Sequence, residues 1–243
     1  MSSQKYFYPE SKFGGYTDID GTVAFFLRVN ALLGPDSVVL DLGCGRGKAI
    51  EDSCDTRREL RTFRNKVKKV IGLDVDPVSA ENPLIDEFVL IDSDRWQLEE
   101  SSVDLILCDN VLEHVENPER FFNEIKRVLK SGGHLCIRTP NRWGYVAIVS
   151  SLIPNRFHGH VVSRAQENRK EEDVFPTYYR CNSIGAIRKT MKKCGFTAVV
   201  YGFESEPSYF SFSRITYFFA VLHQRFAPRF LRLAIFAFGK LEK

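Results

Sequence analysis

Short apolar runs, each closed by a polar residue, set the pattern of the chain. Val38-Val39-Leu40 leads to Asp41, and Val70-Ile71-Gly72-Leu73 leads to Asp74. Phe88-Val89-Leu90-Ile91 leads to Asp92, and the run from Val103 to Cys108 ends in Asp109-Asn110. A fifth run, Leu135-Cys136-Ile137, ends in Arg138-Thr139. Runs of this kind fit parallel strands buried on both faces, the first over 37–42. Helical spacing fills the intervals. Val23, Phe26, Leu27 and Leu33 predict a helix over about 20–33, stopped by Gly34-Pro35. Phe121, Phe122, Ile125, Val128 and Leu129 form one stripe over 118–130, with Asn117 as cap, Pro118 at the first position and Gly132-Gly133 as the stop. Another helix over 183–194, capped by Asn182, carries Ile184, Ile187, Met191 and Cys194 on one side. The alternation predicts an α/β fold with a doubly wound, mainly parallel sheet.

The two ends add less regular pieces. Residues 1–19 are aromatic and polar, with Tyr6, Phe7, Tyr8, Phe13 and Tyr16, and are expected to pack as a surface arm; a flap over a pocket is the alternative. Strands are expected over Thr197–Tyr201 and Leu231–Phe238. Ile215, Phe218, Phe219, Leu222 and Phe226 mark a helix between them, with Tyr217, Ala220 and Val221 widening its apolar surface. Burial inside the domain is the expectation for that helix; contact with a partner or a lipid surface is the alternative. The divisions are 1–36 (arm and helix), 37–140 (α/β core), 141–182 (an insertion after strand five) and 183–243 (the rest of the sheet).

The first strand runs into Asp41-Leu42-Gly43-Cys44-Gly45-Arg46-Gly47, and Lys48-Ala49-Ile50 reads as the start of a helix. The glycines permit a tight turn and let a ligand lie on bare backbone. A helix N-terminus there offers N–H groups to an anionic group such as a carboxylate. The dinucleotide fingerprint needs a third glycine where Lys48 stands. In an open α/β sheet, ligands bind beyond the carboxyl ends of the strands. Four polar ends on four successive strands would therefore converge on one crevice.

Composition narrows the class. The chain has 243 residues, 44% hydrophobic and 27% charged, with a formal net charge of +3. That describes a globular domain, and the charge is too mild to point to nucleic acid. Seven Lys and Arg residues fall within 51–69, a segment expected to be a solvated helix face. None of the six cysteines forms a Cys-x-x-Cys pair, so no zinc or other metal site is expected. No secretory leader and no run of 18 uncharged apolar residues is read, and a cytoplasmic location is expected.

Asp-x-Gly-x-Gly-x-Gly resembles motif I of the class I S-adenosylmethionine-dependent methyltransferases. Ile71-Gly72-Leu73-Asp74-Val75-Asp76-Pro77, Leu90-Ile91-Asp92-Ser93-Asp94, Asp109-Asn110-Val111-Leu112-Glu113-His114-Val115 and the segment from Glu124 to His134 resemble the successive motifs. The similarity covers 37–140 and leans toward the branch acting on small molecules, quinones, lipids or sugars. It implies a seven-stranded sheet whose last strand, 231–239, runs antiparallel. It also implies S-adenosylmethionine as cofactor, held by Asp41, Gly43, Cys44, Gly45, Gly47, Asp74, Val75, Asp92, Ser93, Asn110 and Val111. Asp74 can accept hydrogen bonds from both ribose hydroxyls. Asp92, assisted by Ser93, can accept one from the adenine amine. Asn110 can bind the amino-acid part, and Asp41 can order the turn or meet the ammonium.

Residues 141–182 concentrate aromatic, His and Arg residues suited to stacking on a ring and binding an anion. Trp143, His158, His160, Tyr178, Tyr179 and Arg180 are the substrate candidates. Methyl transfer is an in-line displacement that needs alignment and a dry site, and a hydroxyl acceptor also needs a base. His114, just past strand four, is the candidate base; a turn histidine tied to Glu113 is the structural alternative. The leading expectation is O-methylation of a sugar, glycolipid or other small molecule. An RNA or protein methyltransferase is one alternative, although Asp109-Asn110-Val111-Leu112 departs from the Asn/Asp-Pro-Pro-Tyr/Phe motif of amino-directed DNA enzymes. A non-catalytic binding protein that kept the fold is another.

Overall fold

In the first strand Val39 and Leu40 point to opposite faces of a sheet, and both are fully buried. The same holds for Leu105 and Ile106 in the fourth. Each strand therefore feeds two apolar layers, which is why these runs do not alternate with polar residues. In the computed structural model, which describes residues 3–145, 147–148, 176–210 and 212–242, seven strands form one sheet. They are β1 (Val38–Leu42), β2 (Lys69–Asp74), β3 (Glu87–Leu90), β4 (Val103–Asp109), β5 (Leu129–Pro140), β6 (Phe196–Phe203) and β7 (Ala234–Leu241). Their order is β3-β2-β1-β4-β5-β7-β6, with β7 antiparallel to both β5 and β6 and the other pairings parallel. The antiparallel seventh strand is as expected, three residues later than 231.

The helices are α1 (Ser3–Phe7), α2 (Gly21–Asn30), α3 (Asp55–Arg61), α4 (Pro118–Val128), α5 (Ile184–Lys193) and α6 (Arg214–Phe226). Asp20 caps α2 by accepting from the Thr22 and Val23 amides, and Asn117 caps α4 through the Arg120 amide. Phe122, Ile125 and Val128 of α4 lie against Leu40, Leu73 and Ile106 in one core layer. Phe25, Phe26 and Val29 of α2 lie against Val39, Leu105 and Phe236 in the other. Each such side chain contributes roughly 1.5–3 kcal/mol on burial.

Three local expectations are corrected. The helix expected at Lys48 is only a single 3-10 turn, Lys48–Glu51. Asp52 accepts from the Cys54 amide and binds Arg57, which ends the turn before α3 begins. Helix α4 stops at Val128, because Leu129 is already extended and paired with Val103. Gly132, at φ +79, therefore sits in the irregular start of β5 and does not end the helix. The cap of α5 is Ser183, whose hydroxyl accepts from the Ala186 amide; Asn182 is buried in another network. The basic stretch is largely neutralised within the chain, through Arg57 with Asp52 and Asp20, Arg58 with Asp55, and Arg64 with Asp86. The N-terminal arm packs on α6: the Phe7 ring stacks on Tyr217 at 5.3 Å, and Tyr8 is buried beside it.

Candidate active site

The strand order reverses between β2-β1 and β4, so the crossovers after β1 and β4 leave in opposite directions. A crevice opens there at the carboxyl edge. It is a cavity of about 1310 Å³. Of the expected cofactor residues, Asp41, Gly43, Cys44, Gly45, Gly47, Asp74, Val75, Ser93, Asn110 and Val111 line it, and so do His114, Tyr178 and Arg180.

The glycine turn is tightly held. Gly43, at φ +72, has no space for a side chain: a Cβ would stand 2.3 Å from Val111 Cγ2. A Cβ on Gly47 would stand 2.6 Å from Asn82 Oδ1, while one on Gly45 would meet nothing within 4 Å. Gly45 is thus the point where a ligand can lie against bare backbone. Its amide donates to Asp74 Oδ2 at 2.8 Å, and Asp74 Oδ1 accepts from the Asp76 amide at 3.0 Å. Each carboxylate oxygen keeps a second lone pair for a ligand hydroxyl. Asn82 donates to the Cys44 and Gly45 carbonyls, closing the turn from below, and Arg46 pairs with Asp76 at its rim. Asp74 and Asn82 hold the turn. Gly43→Ala is expected to lower stability by about 1–3 kcal/mol through its left-handed φ, and by more through the Val111 clash. Urea denaturation checks it, and a change below about 0.5 kcal/mol counts against a rigid turn.

The Asp41 carboxylate makes no hydrogen bond or ion pair with another described residue. Burial, then the nearby Asp109 and Asp74 charges, push its carboxyl up to about 7, with Arg61 opposing. A carboxylate facing a cavity with no cation bonded to it suits a ligand ammonium. Asp109 is instead locked to Arg138 by two bonds of 2.6 Å. Arg138 also donates to Thr22 and lies 5.4 Å from the ring centres of Phe25 and Phe26. Asn110, at φ +56, donates to Asp109 and faces the cavity.

On the far wall His114 Nδ1 lies 2.8 Å from the Pro176 carbonyl. A carbonyl only accepts, so Nδ1 carries the proton and Nε2 is the basic atom. Nε2 is 3.9 Å from Glu113 Oε1. Glu113 is buried; burial raises its carboxyl above the usual range, and Thr139 donates to it at 3.0 Å. The Glu113 carbonyl accepts from the Tyr178 and Tyr179 amides, which clamps 176–180 over the site. Asn182 donates to Thr139 and the Pro140 carbonyl beneath.

Some expected residues fall elsewhere. Asp92 is exposed, accepts from Gln97 Nε2 and does not line the cavity, because β3 ends at Leu90 and the chain turns outward. Ser93, Asp94 and the buried Trp96 occupy that wall. Trp143 is 52% exposed and stacks under Arg142, and Tyr179 also lies off the lining. His158 and His160, with most of the expected cap, lie outside the described residues. Asn82, Thr139, Asn182 and Arg138 were missed by sequence reading. Only Arg138, a charged residue closing an apolar strand, gave a signal.

A seven-stranded sheet in this order, with a glycine-rich turn after β1 and an acid closing β2, is the architecture of a class I methyltransferase domain. The cofactor of that class is S-adenosylmethionine. The chain belongs to the methyltransferase domain family, whose model matches residues 18–201. A probable S-adenosylmethionine-dependent methyltransferase of Mycolicibacterium smegmatis is 33% identical over 109 residues, 43% of this chain and 38% of that protein. A ubiquinone biosynthesis O-methyltransferase of Cupriavidus pinatubonensis is 29% identical over 105 residues, 43% of this chain and 41% of that protein. The matches thus span about two fifths of these relatives' own lengths. A solved S-adenosylmethionine-dependent methyltransferase from Archaeoglobus fulgidus superposes with a TM-score of 0.54 at 18% identity, covering 97% of this chain and 99% of that one.

Proposed function

We propose that the chain transfers a methyl group from S-adenosylmethionine to an oxygen of a sugar, glycolipid or other small acceptor. One observation carries this reading: the glycine turn with Asp74, the cation-seeking Asp41 and the imidazole-bearing His114 line one cavity. The residues present fit the donor. Gly45 leaves room for its backbone-hugging part, Asp74 retains acceptor capacity for the ribose, and Asp41 matches the ammonium. The donor supplies a methyl group on a sulfonium, together with the leaving group. The protein aligns the two partners, excludes water and takes a proton. The sequence similarity to an O-methyltransferase supports oxygen as the acceptor atom. Tyr178 and Arg180 at the cavity wall support a ring-bearing or anionic acceptor.

Two outcomes follow. Donor affinity should rise with pH. An Asp whose carboxyl is raised to about 7 favours the protonated empty protein, so stability without ligand falls as pH rises towards that value. The ligand ammonium favours the ionised form. The dissociation constant should therefore tighten about fivefold to tenfold between pH 6 and pH 7.5, as ionisation of a group at about 7 requires. Calorimetry at each pH measures this, and Asp41→Asn should flatten the profile. His114→Asn should lower kcat by about 10²–10⁴-fold with donor affinity unchanged, as for a lost general base. A labelled-methyl transfer screen against cell extracts, with mass spectrometry of the product, identifies the acceptor for that assay. Full activity of His114→Asn would remove the base and favour an acceptor that needs none, such as a carboxylate.

A further inference from the structure

Helix α6 has two apolar faces, and the fold uses one. Tyr217 and Val221 are buried against Tyr8 and Phe7. At about 100° per residue, Ile215, Phe218, Phe219, Leu222 and Phe226 fall on a single arc opposite Tyr217 and Val221, with Phe218 at its border still 6.3 Å from the Phe7 ring. They are 72%, 46%, 64%, 37% and 79% exposed. Phe212 and Phe230, which precede and follow the helix in sequence, are also exposed, as is Tyr6, whose ring lies beside Arg214. Large exposed aromatic patches mark binding surfaces.

The chain segment that carries this patch has charge of one sign. From Pro207 to Leu241 the chain holds no Asp or Glu, but it holds Arg214, Arg225, Arg229, Arg232 and Lys240. With a net charge of +3 overall, the remainder of the chain is slightly acidic. Arg214, Arg225 and Arg229 are exposed, and the Arg214 guanidinium lies 5.5 Å from the Tyr6 ring centre. On the helix, Arg214 and Arg225 project at one border of the aromatic arc. A second copy of the chain is a poor occupant, since an isologous contact would set the exposed Arg214, Arg225 and Arg229 of one copy against those of the other. Phenylalanines on one face with arginines along the edge match an interfacial helix, whose rings enter the headgroup boundary while the guanidinium groups meet lipid phosphates. The helix has 13 residues, and no described helix is long and apolar enough to cross a membrane.

We propose that this face of α6 docks the protein on an anionic lipid bilayer. The helix feeds β7 at Ala234, paired with Pro140 at the carboxyl end of β5, the edge on which the cavity opens. Tyr145, at the start of the insertion, packs its ring against His223 of α6 at 5.1 Å. Docking therefore brings the acceptor side of the domain toward the bilayer and selects a lipid-linked acceptor; this last step rests on the methyltransferase reading, whereas the docking does not.

The test is co-sedimentation of the full chain with vesicles of phosphatidylcholine alone and of phosphatidylcholine with phosphatidylglycerol, without donor. Partition should be at least about tenfold stronger on the anionic vesicles and should weaken with added salt. Phe219→Ser with Phe226→Ser, and separately Arg225→Glu with Arg229→Glu, should each lower it about tenfold or more. Far-UV circular dichroism and a cooperative thermal transition like the parent's show that each variant is folded, whatever the donor does. Absence of partition by the parent, or variants that partition like it, overturns the proposal. A parent that runs as a dimer on gel filtration while the Phe variant runs as a monomer also overturns it, because a second copy then covers the face. Loss of donor binding by the parent with vesicle binding intact would fail the methyltransferase reading alone.

Discussion

Asp74→Ala should weaken S-adenosylmethionine binding by about 10²–10⁴-fold. A carboxylate that accepts from two ribose hydroxyls contributes roughly 1.5–3 kcal/mol per bond, which sets that range. The side chain also receives the Gly45 and Asp76 amides, so its loss loosens the turn it anchors. Asp74→Asn keeps the shape and one acceptor oxygen and should fall between the two. Titration calorimetry at fixed pH reads the dissociation constants directly. A value for the alanine variant within threefold of the parent would rule out the ribose role and, with it, the placement of the donor in this cavity.

Arg138→Met is expected to be the most destabilising single change in the core. The guanidinium is bound to Asp109 at 2.6 Å by both Nε and Nη2, to Thr22 by Nη1, and is sandwiched near two phenylalanine rings. Removing it leaves the Asp109 carboxylate without its counter-ion beside Asp41. Breaking such a pair costs about 3–5 kcal/mol, enough to lower the thermal midpoint by about 10 °C in a chain of this size. Asp109→Asn added to Arg138→Met should restore part of the loss, because the stranded charge is then gone. Thermal and urea unfolding of the two variants distinguish this from simple loss of packing, which Asp109→Asn cannot repair.

Much of the fold around the candidate site was legible because its markers are local. The apolar runs ending in Asp41, Asp74 and Asp109-Asn110 are strand signals read over a few residues, and the glycine spacing after β1 is readable without the partner it avoids. The misreadings share one cause. Gly132-Gly133 looked like a helix stop, yet Leu129 already pairs with Val103 on the neighbouring strand. Lys48 looked like the start of a helix, but Asp52 binds Arg57 and the Cys54 amide and ends it after one 3-10 turn. Asp92 matched its motif position, yet the chain turns it outward after Leu90, toward Gln97. Asn182 looked like a cap, but tertiary packing drew it under Thr139.

The amino-acid order alone determined the alternation of strands and helices, the two-sided burial of the sheet and the glycine turn, because these follow from side-chain period and backbone freedom between near neighbours. Packing alone decided which groups hold that turn and which face the cavity. Asn82 reaches the Cys44 carbonyl across 38 positions, Arg138 reaches Asp109 across 29, and Thr139 reaches Glu113 across 26. Such bonds form only after the strands are stacked side by side, so no window of sequence contains them.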